Sequence, residues 1–517
     1  MTRHDAGRRR LLAAAAASAG AAAFPTTLFA QTRNLVGAPK HALVIGNAAY
    51  RQSPLRNPVN DAGDIGAALE KAGFKVVRLL DAGRDAMRQA IRAYGEALSK
   101  DKAVGVFYFA GHGVQLSWRN FLMPVDAEVA AAADVPGRTV DLVELVESLK
   151  RAANPANLVI LDACRNNPFG RDFIVDQKGL SQMDAPTGTL LAYATAPGNV
   201  AIDGEGRNGL YTEQLLREIA VPEAKVEDVF KRVRLSVRRA SKGLQVPWES
   251  TSLEDDLYFV PPRELKKLAD AEREARFQEE LKGWERVKGA KDVAATEDYL
   301  RRYPTGNFAL LAQVHLDRLL AAQGEKPVQV VAAPENPYTK GYGRADTNFK
   351  VGDSYRFRYA DLFTNVVTRE QDEVITTIND SEVHYNGGER ITDLLGNSLR
   401  HPDGRRLVGI SIVPTEYSIG RRWETWFKSV QRDGSELSSY YDVRIVARER
   451  VDVPAGSFNA FRVEGEGGTV GRVARLQFTA WIDPERCRRA VRYEFKSSSG
   501  PRVFVAERVE MLSFKQA

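Results

Sequence analysis

The stretches FYFAGHG (residues 107–113) and LVILDACR (residues 158–165) decide the fold of the first half of this chain. Each is an apolar run, typical of a buried strand, that ends on a residue able to do chemistry. The first ends on His112 and the second on Cys164, one of two cysteines in the chain. Because a thiolate attacks carbonyl carbon and an imidazole moves protons, the pair predicts a hydrolase site.

The sequence around these stretches alternates between apolar runs of strand length and segments with helical spacing. Predicted strands cover 41–47, 74–80, 103–110, 158–162 and 189–194, and predicted helices cover 61–72, 84–98, 140–149, 210–219 and 226–240. Buried strands separated by helices indicate a mainly parallel sheet with helices on both faces. Reactive groups of such sheets lie beyond the carboxyl ends of the strands, where His112 and Cys164 both fall.

The first thirty residues are predicted to be a signal peptide rather than part of the fold. Three arginines, Arg8 to Arg10, precede an alanine-rich apolar stretch that ends in a small residue, Ala30. Paired arginines directly before the apolar stretch favour a twin-arginine signal. We therefore expect an exported bacterial protein, periplasmic or secreted, without stable membrane insertion once the signal is removed. The alternative is an uncleaved membrane anchor.

Charge and cysteine content narrow the function classes. Four arginines and one aspartate of the leader account for half of the formal net charge of +6. The remaining bias is too small to predict nucleic-acid binding. An oxidising compartment permits a disulfide between Cys164 and Cys487, which would remove the nucleophile. Two free thiols are favoured, since the two cysteines lie in segments of different patterning.

The composition changes along the chain and divides it into segments. We assign residues 1–30 to the signal peptide, 36–262 to the α/β domain, 263–322 to a helical, repeat-like spacer, 323–345 to a linker and 346–517 to a β-rich domain. The spacer has the pattern of a helical hairpin with its turn at 303–306. Alternating segments in the last domain predict an antiparallel sandwich or open barrel. Two histidines of that domain, His384 and His401, are expected to be ordinary surface or core residues.

Three strings in order carry a resemblance to a known family: AGHG at 110–113, DACR at 162–165 and YATAPG at 193–198. Together they resemble the caspase-like (clan CD, peptidase C14) cysteine peptidases, specifically the bacterial metacaspase-like branch. The resemblance covers about residues 38–260. It implies that Cys164 is the nucleophile and His112 the general base and acid. It also implies an oxyanion hole formed by the backbone N–H groups of Gly113 and Cys164.

Two carboxylates govern the expected substrate preference. The resemblance implies an acidic S1 pocket for Arg or Lys, and the matching positions are Asp61 and Asp162. Paired carboxylates favour a guanidinium through bidentate hydrogen bonds. The alternative for Asp61 is to cap the following helix.

Two basic residues, Arg56 and Arg207, point the other way, because cations near the site would suit an acidic P1 residue. We favour a basic P1 residue, since Asp162 stands nearest the reacting sulfur and would repel a substrate carboxylate.

The remaining site predictions concern substrate pairing, metals and processing. Tyr193, Ala194 and Thr195 are expected to form a strand edge that pairs with extended peptide. No cofactor is certain: many metacaspases need calcium, so a calcium dependence stays open, but the nearby acids (Asp126, Asp134 and Asp141) are scattered. Residues 170–188 resemble an activation linker, with Arg171 and Lys178 as candidate self-processing positions.

The leading interpretation is an extracytoplasmic cysteine endopeptidase that acts on polypeptides after Arg or Lys. The second interpretation is a catalytically idle scaffold whose helical and β segments bind envelope proteins. The intact pair of His112 and Cys164 argues against the scaffold, because an idle site usually loses one member. The two interpretations also differ in thiol chemistry, since an activated cysteine reacts fast with alkylating probes at neutral pH. The oligomeric state is left open.

Overall fold

The computed structural model describes residues 35–164, 179–197, 199, 206–263, 268–325 and 335–516. The predicted signal peptide, Gly198 and the candidate processing positions Arg171 and Lys178 lie outside these residues, as does the side chain of Cys164. Within the described ranges, each helix is too short or too polar to span a bilayer.

The first domain is built on an eight-stranded sheet. Its strands are β1 (Lys40–Gly46), β2 (Lys75–Leu80), β3 (Val104–Leu116), β4 (Arg119–Leu122), β5 (Val140–Asp141), β6 (Asn157–Cys164), β7 (Thr189–Tyr193) and β8 (Trp248–Thr251). The main order is β2-β1-β3-β6-β7-β8. All pairings along it are parallel except that of β7 with β8. The predicted, mainly parallel sheet is confirmed.

Helices cover both faces of this sheet. They are α1 (Pro58–Lys71), α2 (Arg84–Asp101), α3 (Val135–Arg138), α4 (Leu142–Ala152), α5 (Leu210–Ile219) and α6 (Val226–Ala240). α2 packs on α4, whereas α5 packs on both α1 and α6, and β1 contacts both α1 and α2. The central strands are therefore buried on two sides, and β3 is buried from Val104 to Gln115. This burial explains why these strands are continuous apolar runs in the sequence.

One strand is longer than its sequence pattern predicts. β3 continues past Ala110 to Leu116, and its far end pairs with β4, which in turn pairs with β5. The glycines at 111 and 113 broke the predicted pattern, because glycine is a poor strand former by itself. The pairing with β4 supplies the tertiary support that the sequence pattern does not reveal.

The segment after the first domain contains three helices rather than the predicted hairpin of two. They are α7 (Asp270–Val287), α8 (Val293–Arg302) and α9 (Ala309–Ala322). The predicted turn at 303–306 lies between α8 and α9. Aromatic rings hold the three helices together: Trp284 stacks on Phe308 with ring centroids 6.0 Å apart and also contacts Tyr299. The strongly charged start of α7 therefore belongs to a helix with its own buried side.

The last region is all-β, as predicted. Its strands are β9 (Tyr342–Arg344), β10 (Ser354–Asp361), β11 (Val367–Ile378), β12 (Glu382–Tyr385), β13 (Arg390–Asp393), β14 (Ser398–Arg400), β15 (Arg406–Val408), β16 (Glu416–Ser418), β17 (Arg422–Val430), β18 (Glu436–Val453), β19 (Gly456–Thr469), β20 (Arg475–Ile482), β21 (Arg492–Ser499) and β22 (Arg502–Lys515). β9 and β16 pair with each other, and the other twelve form a closed barrel. A sandwich or open barrel was expected, but β22 pairs with β10 and closes the sheet.

The second cysteine of the chain, Cys487, lies inside this barrel domain. Cys487 is a free, buried thiol whose sulfur lies 3.8 Å from Met511 Sδ. Burial raises the pKa of this thiol to about 11. The alternative of a disulfide between Cys164 and Cys487 is therefore wrong.

The predicted linker is anchored to the first domain rather than spanning free between domains. Asn336 Nδ2 donates to Gln182 O at 3.0 Å, and Asp184 N donates to Tyr338 O at 2.7 Å. Gly341 N donates to Asp184 Oδ2 at 2.7 Å. The described part of the linker thus contacts residues 182–184, which lie inside the segment 170–188 predicted to be an activation linker.

Candidate active site

His112 lies at a β-bulge in β3. In the pairing of β3 with β6, Ala110 is opposite Asp162 and Gly113 is opposite Cys164. Gly111 and His112 therefore face a single residue of β6, which is the geometry of a bulge. The sequence predicted His112 to follow its strand, whereas the strand continues and the bulge redirects the histidine from within it.

Glycine is required at both sides of His112 because the backbone is crowded there. A Cβ atom on Gly111 would lie 2.6 Å from Tyr50 Oη, and one on Gly113 would lie 2.8 Å from Ala163 O. Both distances are shorter than van der Waals contact. The two glycines thus permit the bulge that brings Gly113 opposite Cys164, the two residues predicted to provide the oxyanion hole.

The imidazole of His112 is held by two groups that the sequence analysis did not find. Its Nε2 lies 2.7 Å from Ser53 O, and its backbone N donates to Tyr50 Oη at 3.0 Å. The Tyr50 and His112 rings are 4.6 Å apart, and Tyr50 Oη donates to Met123 O. A carbonyl oxygen only accepts, so Nε2 carries a proton and Nδ1 is the basic nitrogen of the neutral ring. No pattern in the sequence identifies Ser53 or Tyr50, because both lie in a loop after β1.

The two carboxylates predicted for substrate binding converge. Asp162 at the end of β6 and Asp61 on α1 are both buried. A Cβ atom on Gly209 would lie 3.4 Å from Asp61 Oδ2 and 3.6 Å from Asp162 Oδ2. Both charges also act on Tyr108, whose pKa is raised by burial first and then by Asp162 and Asp61. The structure therefore brings these two sequence-predicted residues together.

Neutral groups donate hydrogen bonds to both carboxylates. Thr212 Oγ1 donates to Asp162 Oδ2 at 2.9 Å and lies 2.6 Å from Tyr108 Oη, so Tyr108 donates to Thr212. Asp61 Oδ1 accepts from Gly209 N at 3.0 Å and from Asn208 Nδ2 at 3.1 Å. Hydrogen bonds to the ionised form stabilise a buried carboxylate without neutralising it.

The alternative role of Asp61 as a cap of its own helix is wrong. α1 begins at Pro58 with Asn57 as its N-cap, and Asp61 lies inside the helix. Asp61 instead binds the backbone N–H of Gly209, the N-cap residue of α5. Its negative charge therefore lies at the positive end of a second helix dipole, which favours the ionised form.

Of the two basic residues that suggested an acidic P1 residue, Arg207 is paired with a carboxylate. Arg207 donates to both carboxylate oxygens of Asp64, at 2.9 and 3.1 Å, and is exposed. Its hydrogen bond is the main cause that lowers the pKa of Asp64. Arg56 is also exposed. Asp64 was missed by the sequence analysis, and it neutralises the cation that Arg207 would otherwise present.

The expected substrate-pairing edge does not lie at Tyr193. β7, which ends at Tyr193, is flanked by β6 on one side and by β8 on the other. Ala194 N donates to Leu161 O, and Ala194 O accepts from Gln245 Nε2. Thr195 is buried beside them. For Tyr193 and Ala194 this prediction is corrected, because β8 and Gln245 come from far along the chain, which local patterning did not show; for Thr195 it stays a prediction.

The scattered acids near the site have structural partners. Asp126 accepts from Arg84 N at 3.0 Å, and Asp134 accepts from Ala130 N and Ala131 N. Asp141 caps α4 through Val143 N and pairs with Arg119. Among the described residues, no group of three or more His, Cys, Asp or Glu side chains is placed to hold a metal ion.

Comparison with known sequences places this geometry in a family. Residues 39–258 match the model of the caspase domain. The first domain is caspase-like. The predicted resemblance to clan CD is confirmed for this domain. Its assignment to a bacterial branch stays a prediction.

The caspase-like domain is also similar to two curated mammalian proteins. It is 30% identical over 230 residues to mucosa-associated lymphoid tissue lymphoma translocation protein 1 of Homo sapiens, covering 43% of this chain and 27% of that protein. It is 29% identical over 239 residues to the homologous protein of Mus musculus, covering 45% and 28%. The chain thus matches little more than a quarter of the length of these relatives.

The hydrogen bond between Tyr50 and His112 gives a prediction for stability. Tyr50→Phe leaves the buried N–H of His112 without this acceptor, so we expect the free energy of unfolding to fall by about 1–3 kcal/mol. Tyr94→Phe is the matched control. Tyr94 Oη is buried, and no described residue shares a hydrogen bond with it. We expect a change within about 0.5 kcal/mol there. Equal losses in urea denaturation of the two variants would contradict the role given to Tyr50.

Proposed function

We propose that the caspase-like domain is a cysteine endopeptidase in which Cys164 is the nucleophile and His112 the general base and acid. The observation that carries this proposal is the strand register, in which the residue after His112 is opposite Cys164. The register supports a dyad because neighbouring residues of paired strands lie within reach of each other.

The proposed mechanism uses the two nitrogens of His112 differently. Nδ1 takes the thiol proton of Cys164 as the sulfur attacks the scissile carbonyl carbon, and later gives that proton to the leaving amine. Ser53 O, bound to Nε2–H, orients the ring and stabilises the imidazolium that forms. The N–H groups of Gly113 and Cys164 receive the oxyanion, and one such donor supplies about 2.7–4 kcal/mol. Water then hydrolyses the acyl-enzyme.

We propose a basic P1 residue, held by Asp61 and Asp162. Support comes from their convergence and from the hydrogen bonds that Gly209 N donates to Asp61 and Thr212 Oγ1 donates to Asp162. Two buried anions favour a cation, and a guanidinium can bind both through separate N–H groups. The pairing of Arg207 with Asp64 weakens the case for an acidic P1 residue.

The dyad is tested on the purified protein with fluorogenic peptides carrying Arg or Asp at P1, with and without calcium. We expect cleavage of the Arg peptide, and its loss in Cys164→Ala and in His112→Ala, because each variant lacks a group that the chemistry needs. Cys487→Ala is the matched control, since that thiol is buried in the barrel domain, and it should retain wild-type kcat/KM within about threefold.

Two results would contradict the peptidase proposal. One is a wild-type protein that cleaves neither peptide in either condition. The other is a Cys164→Ala variant that retains cleavage. Iodoacetamide gives an independent measurement: at neutral pH it should label Cys164 quickly and leave Cys487 unlabelled, because the Cys487 thiol is buried and its pKa is raised to about 11. Slow labelling of both thiols would favour the idle scaffold.

The proposed P1 preference predicts which carboxylates are needed to cleave a peptide with Arg at P1. Asp61→Asn and Asp162→Asn should each lower kcat/KM for the Arg peptide by about 100-fold, and lower it much less for a peptide with norleucine at P1. Asp85→Asn is the control, because its side chain is 99% exposed on α2, away from these carboxylates. Thermal unfolding checks that the variants fold. Equal losses on both peptides would contradict a charge-based S1 pocket.

We also propose that the chain is exported by its N-terminal leader. The support is the sequence of residues 1–30, with paired arginines before the apolar stretch. Replacing Arg8 and Arg9 together by lysine should leave the protein uncleaved in the cytoplasm of the producing bacterium, as measured by cell fractionation and N-terminal sequencing. Unchanged export of this double variant would exclude a twin-arginine signal.

A further inference from the structure

The β-barrel of the C-terminal region encloses a cavity of about 1030 Å³. This is at or above the size of most pockets for small ligands, which run from about 300 to 1,000 Å³. Apolar side chains from strands all round the barrel line it, among them Phe357, Ile410, Val413, Phe427, Leu476 and Phe495. A barrel of twelve strands is wide enough to leave such a space, whereas about eight strands fill theirs with side chains or hold one small ligand.

One end of the barrel has exposed apolar side chains that line the cavity. Successive strands are antiparallel, so the turns after β10, β14, β17, β19 and β21 share that end. Val473, in the turn after β19, is 86% exposed, and Phe504 and Val505, near the start of β22, are 52% and 45% exposed. All three line the cavity, and this apolar rim suits the entry of an apolar chain.

The cavity also contains more cations than anions. Six arginines and two acids line it: Arg369, Arg390, Arg405, Arg472, Arg488, Arg489, Asp403 and Glu507. Most of these arginines have a close carboxylate. Arg390 and Arg489 share the buried Glu373, Arg488 pairs with Asp346 and Asp353, and Arg369 pairs with Glu507.

Arg405 differs from these arginines. Its nearest carboxylate contact, with Asp403, is long at 3.9 Å. Its Nε is buried, and in the described part of the chain nothing accepts a hydrogen bond from it. Its charge acts on Tyr441 and Tyr493, where it opposes the rise in pKa that burial causes. Arg405 and both tyrosines line the cavity, and the Arg405 side chain as a whole is 41% exposed.

His401 reports the electrostatic potential inside the cavity. Burial, followed by the charges of Arg390 and Arg405, lowers the pKa of this lining histidine to about 3. The imidazole is therefore neutral at physiological pH. Burial by itself disfavours a charge of either sign, but the positive charges of Arg390 and Arg405 favour an anion in this cavity.

We propose that the barrel binds one amphipathic anion, with its aliphatic chain along the apolar wall and its carboxylate or phosphate head at Arg405. The head accepts hydrogen bonds from the N–H groups of Arg405. A guanidinium N–H that is buried without an acceptor costs free energy. A neutral amphiphile would fill the same wall, but its hydroxyl oxygen would offer Arg405 a weaker acceptor than an ionised head does. This binding site is separate from the peptidase proposal and does not depend on it.

The test is isothermal titration calorimetry of the full chain, without detergent, with dodecanoate, dodecyl phosphate, dodecanol and acetate below micelle-forming concentrations. We expect one molecule of either anionic amphiphile per chain. Dodecanol should bind at least about tenfold more weakly, and acetate should not bind measurably. Arg405→Gln should weaken the binding of dodecanoate by about tenfold and that of dodecanol much less, because the ionised head loses the stronger hydrogen bond.

Two further variants separate the cavity from the protein surface. Leu476→Trp fills the cavity and should weaken the binding of dodecanoate and of dodecanol alike. Arg450→Gln removes an exposed arginine, 76% exposed and paired with Asp452, and should change neither affinity. The proposal is overturned if dodecanoate does not bind, if Arg405→Gln and Arg450→Gln behave alike, or if the protein floats with anionic phosphatidylglycerol vesicles but binds no monomeric amphiphile. Heat denaturation of each variant confirms that it is folded.

Discussion

The pairing of β3 with β6 is the constraint on which the rest of the first domain depends. At its bulge, two residues of β3, Gly111 and His112, lie opposite a single residue of β6. Regular pairing resumes where Gly113 lies opposite Cys164. Without the bulge, the next residues of β3 would shift by one and their side chains would change faces. The crowding at Gly111 and Gly113 shows why this register tolerates only glycine at both positions. A catalytic proposal therefore rests on backbone pairing rather than on flexible side chains.

Both domains bury charged side chains, but the partners of these side chains differ between the two domains. In the first domain, Asp61 and Asp162 lie close together and accept hydrogen bonds from neutral donors, Asp61 from Gly209 N at the start of α5 and Asp162 from Thr212. In the barrel, Glu373 lies between Arg390 and Arg489, so the charges largely neutralise each other.

The two domains are also joined more closely than a free linker would allow. Residues 336–341 bind 182–184 through backbone and side-chain hydrogen bonds. Burial raises the pKa of Asp184 in this contact to about 6, despite the hydrogen bond from Gly341 N. Trp248 of β8 packs against Tyr342 of β9 with ring centroids 6.2 Å apart. The edge strand β8 is thereby covered by the chain's own C-terminal region, which protects it from pairing with other strands.

The sequence by itself determined the parallel sheet and the order of its helices, because apolar runs and helical spacing are local signals. The roles expected of His112, Cys164, Asp61 and Asp162 were implied by the resemblance to caspase-like peptidases. Only the tertiary structure shows that β3 continues through its glycines and that β8 pairs with the free side of β7. It also shows that Asp64 neutralises Arg207 and that β22 closes the barrel. Tyr50, Ser53 and Arg405 likewise gained their roles only from partners distant in sequence or from packing. Such contacts join residues that local periodicity cannot relate, since the pattern along a chain encodes which faces are buried but not which segments meet.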